Sequence, residues 1–150
     1  MLEGGCQCGE VRYRVSGDPA HHALCHCRDC RASSGAPATA WMAFPAENFN
    51  VIKGKAVSYN SSGASWRHFC GQCGTGMYFI NEQMLPGIVD IQSATLDDAQ
   101  SHPPAAQIQT AERLDYMSVL AAMPQFEPYP VPSIPRSGHL LPFSAPVLDN

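Results

Sequence analysis

The chain has 150 residues, 45% of them hydrophobic, which suits one domain with a core of its own. Its net charge is −4, and its nine Lys plus Arg are scattered without a polybasic run, which argues against a nucleic-acid partner. No stretch approaches the roughly 18 apolar residues of a membrane span, so no membrane partner is expected. Thirteen prolines and twelve glycines point to short strands and many turns rather than long helices. Met1 to Gly5 shows no basic segment followed by an apolar core, so no secretory signal is read and a cytoplasmic location is expected.

The first chemical motif is Cys6-Gln7-Cys8-Gly9, on a turn that enters an alternating strand over residues 10–15. Ser16-Gly17-Asp18-Pro19 is a turn, and Ala23-Leu24-Cys25 ends a short strand. Cys25-His26-Cys27-Arg28-Asp29-Cys30 follows, with residues 28–34 reading as a helical turn before Gly35. An apolar strand over 38–44 contains Trp41. A turn at 45–49, a strand at 50–53, a tight turn at Gly54-Lys55 and an alternating strand at 56–59 come next. A loop over 61–65 makes a hairpin with the strand at 66–69. Phe69-Cys70-Gly71-Gln72-Cys73-Gly74 is a knuckle, in which Gly71 and Gly74 are expected to take the left-handed conformation. Strands are expected at 77–80 and 88–91, a capped turn at 95–98, and a last strand at 107–109, while 112–117 is ambiguous.

Seven of the thirteen prolines lie in residues 124–150, without helical or strand period. The expected organisation is therefore one domain over 1–123 and an irregular tail over 124–150. That tail wraps the domain, reaches a neighbouring subunit of a homodimer, or is mobile; the residues leave the three open.

The cysteine count of seven divides as four plus three. An odd number, with C-x-C and C-x-x-C spacings on tight turns, favours metal binding over a disulfide scaffold. Cys6 and Cys8 are expected to join Cys70 and Cys73 around one structural zinc, a clamp across the 61 residues between Cys8 and Cys70. Two separate redox dithiols are the alternative, weakened because a strand rather than a helix follows Cys73. Cys25, Cys27 and Cys30 can reach a second metal from a single loop. Three protein ligands leave a position for water or substrate, the arrangement of a catalytic zinc. His26 could close that site, and His21, His22 and His68 are weaker candidates; a second structural zinc completed by a distant residue also remains open. Arg28 and Arg31 flank the loop and could offset its charge or hold a substrate carboxylate. Trp41, Phe44, Trp66 and Tyr78 could line a pocket or belong to the core. A zinc with an open position suits addition of a small thiol to an aldehyde, or the reverse carbon–sulfur cleavage.

These three motifs in series resemble the glutathione-dependent formaldehyde-activating (GFA) family, which includes centromere protein V. The matching residues are Gly5 to Tyr13, Cys25 to Arg31 and Phe69 to Thr75, with weaker echoes at Thr95 to Asp98 and Thr110 to Arg113. The resemblance covers about residues 4 to 120. It implies a mainly β, tent-like fold of several short antiparallel sheets pinned by zinc, shared with methionine sulfoxide reductase B. It also implies a structural zinc on Cys6, Cys8, Cys70 and Cys73, and a catalytic zinc on Cys25, Cys27 and Cys30. The implied activity is that of a carbon–sulfur lyase, forming S-hydroxymethylglutathione from glutathione and formaldehyde or a related electrophile. An interaction module without catalysis and a thiol oxidoreductase are the alternative readings.

Overall fold

The computed structural model describes residues 1–127. From residue 128 onward, the expected tail lies outside the described residues. Met1–Ser118 forms one compact unit, and the described part of a second, which begins at Val119, holds a single 3₁₀ turn at Leu120–Ala122.

The first unit is mainly β. Its strands are β1 (Leu2–Gly5), β2 (Arg12–Val15), β3 (His21–Cys25), β4 (Thr39–Pro45), β5 (Phe49–Lys53), β6 (Ala56–Ser62), β7 (Ser65–Cys70), β8 (Gly76–Ile80), β9 (Ile88–Gln92) and β10 (Ala106–Ile108). A helix, α1 (Arg28–Ser34), separates β3 from β4. Three strands form an antiparallel sheet in the order β1-β2-β5. The other seven run β10-β3-β4-β9-β8-β7-β6, antiparallel except where β10 lies parallel to β3.

The core draws on both sheets. Val11, Tyr13 and Val15 come from the small sheet and its approach, and Met42, Phe44, Met77, Val89 and Ile91 from the large one. Phe49 joins them as an aromatic hinge, 5.7 Å from Tyr13 and 4.7 Å from Tyr78 between ring centroids. The near-continuous apolar run of β4 follows from its central place, since a strand covered on both faces loses the alternation of a half-exposed one. Burying Phe44 there contributes about 2 kcal/mol. Edge strand β6 is exposed along most of its length.

Several boundaries differ from expectation for local reasons. The strand expected over 10–15 begins at Arg12, because the chain is still closing a turn until Val11: Cys6 N donates to Val11 O at 2.9 Å. The loop expected over 61–65 shrinks to Gly63-Ala64, with an irregularity between Asn60 and Ser62 absorbing the misfit. β1 is too short and glycine-rich to show a period, and is held by its pairing to β2. The last strand stops at Ile108, because Gln109 turns left-handed at φ 55. The ambiguous stretch over 112–117 contains part of two 3₁₀ turns, Thr110–Glu112 and Asp115–Ser118.

Candidate metal centres

The loop after β1 and the loop after β7 bring four cysteines together from opposite ends of the sequence. Each loop is closed in the same way. Cys6 N donates to Val11 O and Cys70 N donates to Thr75 O, both at 2.9 Å and both five residues on. Each turn ends in a left-handed glycine, Gly9 at φ 73 and Gly74 at φ 76, where a side chain would be strained. Gly71, expected to be left-handed as well, is not, because Gly74 alone reverses the longer turn.

The sulfurs of Cys6, Cys8, Cys70 and Cys73 all lie within 4.8 Å of one another. Cys6 and Cys8 Sγ are 3.6 Å apart, and Cys8 and Cys70 Sγ 3.8 Å apart. A tetrahedral ion with metal–sulfur bonds of about 2.3 Å would space its ligands about 3.8 Å apart, so this donor set fits a metal ion. Backbone and hydroxyl donors already face the sulfurs. Val11 N–H donates to Cys6 Sγ at 3.1 Å, Gln72 N–H to Cys70 Sγ at 3.4 Å, and the Thr75 hydroxyl lies 3.2 Å from Cys73 Sγ. The Thr75 hydroxyl oxygen also accepts from Gln7 N–H at 3.2 Å, stitching one knuckle to the other. That hydroxyl, with backbone N–H groups, lowers the Cys73 thiol to about 5. Cys8 moves the opposite way, up to about 12: the Glu10 N–H lowers it, but the neighbouring Cys73 and Cys6 sulfurs together outweigh that.

The second cluster is assembled locally. Cys25 ends β3, and Cys27 caps α1, its sulfur accepting from Cys30 N–H at 3.2 Å. The helix spans the 28–34 expected from sequence, with Asp29 in its first turn and left-handed Gly35 at φ 64 as its C-cap. The three sulfurs lie within 4.8 Å of one another, and among the described residues no fourth His, Cys, Asp or Glu joins them. The Trp41 indole N–H donates to Cys30 Sγ at 3.3 Å. Burial raises the Cys25 thiol, and burial with the neighbouring Cys27 sulfur raises Cys30 well above the ordinary thiol range. This donor set also fits a soft metal ion, with one coordination position left over.

The four histidines weighed for this site go elsewhere. His26 is fully buried, with Nε2 2.9 Å from Gln107 Oε1 on β10. His22 Nε2 lies 2.8 Å from Ser93 Oγ, and His21 faces buried Asp90 at 3.6 Å. His68 stacks on Tyr78, with ring centroids 4.2 Å apart.

A cleft of about 510 Å³ lies between α1 and the β6–β8 part of the large sheet. Trp41 and Tyr78 line it, as do Asp29 of α1 and Arg67 and His68 of β7. Trp41 therefore touches both the cleft and the Cys30 sulfur. Of the other aromatics weighed from sequence, Phe44 is core and Trp66 is exposed outside the cleft. Arg28 and Arg31 line a different hollow, with Gly35, Pro37, Leu114 and Tyr116. Sequence reasoning did not reach the roles of Thr75, Asp29, Arg67 and Gln107; only Thr75, next to the Cys70–Gly74 knuckle, carried a local hint.

No helix among the described residues is long and apolar enough to cross a membrane. The chain is similar to a Halomonas elongata protein described as a candidate glutathione-dependent formaldehyde-activating enzyme: 28% identical over 114 residues, 69% of this chain and 71% of the relative. It is 33% identical over 106 residues to an uncharacterized lyase of Schizosaccharomyces pombe, covering 59% of this chain and 72% of the relative. A crystal structure of a Rhodobacter sphaeroides protein superposes with a TM-score of 0.56 at 21% identity, over 71% of this chain and 99% of that one, a likeness of fold. A sequence profile described as "Glutathione-dependent formaldehyde-activating enzyme" matches residues 1–112, and the chain belongs to that family.

Proposed function

We propose that the protein is a zinc-dependent enzyme of the carbon–sulfur lyase kind, joining a small thiol, glutathione, to formaldehyde or a related electrophile. The observation that carries this reading is the three-sulfur cluster beside a cleft, with no fourth ligand among the described residues. The names of the two relatives, one a formaldehyde-activating enzyme and one a lyase, support it.

Cys6, Cys8, Cys70 and Cys73 would hold one zinc as a clamp between the two loops, and Cys25, Cys27 and Cys30 would hold the other. Bound by three thiolates, the second zinc would lower the pKa of an incoming thiol and polarise a carbonyl oxygen. In the overall reaction a sulfur–carbon bond forms, the carbonyl π bond breaks, and the thiol proton ends on the former carbonyl oxygen. The chain's own residues prepare the site. The Trp41 indole and the Cys30 N–H donate to the ligand sulfurs, making them less basic and fixing their direction. Buried Trp41 and Tyr78 keep water off one wall of the cleft.

A thiol oxidoreductase has one observation in its favour: Cys27 and Cys30 form a C-x-x-C that opens a helix. The third sulfur speaks against it: Cys25 Sγ lies within 4.8 Å of both, a donor that a dithiol does not need and a metal ion does. Exchange NMR on glutathione and formaldehyde, with the zinc-loaded chain, tests the proposal. The expected result is faster interconversion with S-hydroxymethylglutathione than occurs spontaneously, lost in Cys27→Ser. No acceleration at full metal loading overturns it, and thiol–disulfide turnover in metal-free protein would favour the oxidoreductase.

A further inference from the structure

We propose that the 510 Å³ cleft selects thiols bearing a free α-amino-acid group, Arg67 taking its carboxylate and Asp29 its ammonium. This inference rests on the function proposed above and names what would recognise the substrate at that site.

Two charged side chains of opposite sign line the cleft, from different elements: Asp29 from the first turn of α1 and Arg67 from β7. Neither has an ion-pair partner within 4.0 Å among the described residues, so they do not neutralise each other or pair elsewhere. Arg67 is nonetheless oriented. It stands in register between Tyr59 and Phe79, with its guanidinium carbon 5.2 Å from the Phe79 ring centroid. A guanidinium stacked on a ring keeps its edge free for two parallel bonds to a carboxylate.

The remaining polar lining is neutral. Ser61, Ser33 and Gln92 carry no charge, and the His68 ring is stacked on Tyr78, with centroids 4.2 Å apart. An anionic ligand would leave Asp29 unanswered, and a cationic one would leave Arg67 unanswered. A ligand carrying both charges, as an α-amino-acid group does, would answer both. The γ-glutamyl end of glutathione has that pair; its glycyl end has a carboxylate alone. Trp41, which lines the same cleft and donates to Cys30 Sγ, connects this recognition surface to the three-sulfur cluster.

The test is calorimetric titration of unreactive S-methylglutathione into the zinc-loaded full chain, and into its Arg67→Gln and Asp29→Asn variants, with circular dichroism confirming folding. Arg67→Gln should weaken binding about tenfold, and Asp29→Asn severalfold. The N-acetylated ligand, which lacks the ammonium, should bind wild type and Asp29→Asn equally but remain sensitive to Arg67→Gln. The glycyl ethyl ester should bind like the parent. Equal affinity of S-methylglutathione for all three proteins overturns the proposal, as does preference for the N-acetylated ligand. Charge-dependent binding without acceleration of the formaldehyde reaction would sink the enzyme reading and leave this one standing. Acceleration without charge-dependent binding would do the reverse.

Discussion

The two cysteine clusters use the same donor atom in opposite ways. The outer four come from two turns more than sixty positions apart, and their sulfurs meet three backbone or hydroxyl donors from Val11, Gln72 and Thr75. The inner three come from one strand end and one helical turn, and rely on the Trp41 indole and the Cys30 N–H. A site that joins distant segments contributes to folding, because the metal can bind only when both segments are in place. A site built within six consecutive residues adds little to folding, which leaves it free for chemistry.

The largest expected effect follows directly. Cys70 is buried in the core at the junction of β7 and its knuckle. Cys70→Ser should remove one of two zinc ions and cost on the order of 5 kcal/mol, comparable with the stability of the whole domain. Cys30→Ser should also remove one zinc, yet leave the melting temperature within a few degrees of wild type while activity disappears. Thermal unfolding paired with metal analysis on both variants checks this. Equal destabilisation would erase the distinction between clamp and working site.

Acid should separate the clusters next. Metal binding requires thiolates, so a raised thiol pKa lets protons compete at higher pH. Burial raises both Cys25 and Cys30, and only three sulfurs share that ion; in the outer cluster Cys8 is raised to about 12, but the Thr75 hydroxyl holds Cys73 down at about 5 and a fourth sulfur helps to keep the ion. As pH falls from 8 toward 6, zinc should leave the inner cluster first, read as two steps with a chromogenic chelator. Thr75→Val removes the donor, so Cys73 should titrate upward and the outer step should move to higher pH. The inner step should stay where it was. Movement of both steps together would mean that the clusters are coupled.

The parts of this molecule that were legible in its sequence are those encoded by short spacings. The cysteine grouping, the helical turn ending at Gly35 and the β6–β7 hairpin all depend on neighbours a few positions apart. The illegible parts depend on long-range pairing. Gln107 engages His26 across 81 positions, and it does so because β10 joins the sheet parallel to β3, a pairing with no local signal. Trp41 reads as one more apolar residue in a buried strand; its bond to Cys30 depends on how α1 folds back over β4. Arg67 and Asp29 are unremarkable charges until the sheet and the helix set them around one cleft.

Trp41→Phe sharpens the comparison at smaller scale. It keeps most of the buried ring and removes the N–H that meets Cys30 Sγ. Losing such a supporting bond should weaken zinc at the inner cluster about tenfold and leave the outer cluster unchanged. A competition titration that resolves the two sites would show this; loss at the outer cluster instead would put Trp41's influence in the fold rather than at the sulfur.

The smallest effect comes from two matched glycines. Gly9 closes the outer knuckle at φ 73, and Gly35 closes α1 at φ 64; a methyl group added at either meets no atom within 4 Å. Alanine at each therefore carries only the backbone cost of a left-handed residue, about 1 kcal/mol. Their melting temperatures should fall by similar amounts, about 4 °C. Zinc retention should not fall alike. Gly9 N–H donates to the carbonyl of Cys6, a ligand residue, so strain there opens a turn that must present two sulfurs. Gly35 N–H donates to Arg31, beyond the last inner cysteine, so the strain can relax by fraying the helix end. Faster chelator extraction from Gly9→Ala than from Gly35→Ala, at equal loss of melting temperature, would show that the outer site transmits backbone strain to its metal and the inner site does not.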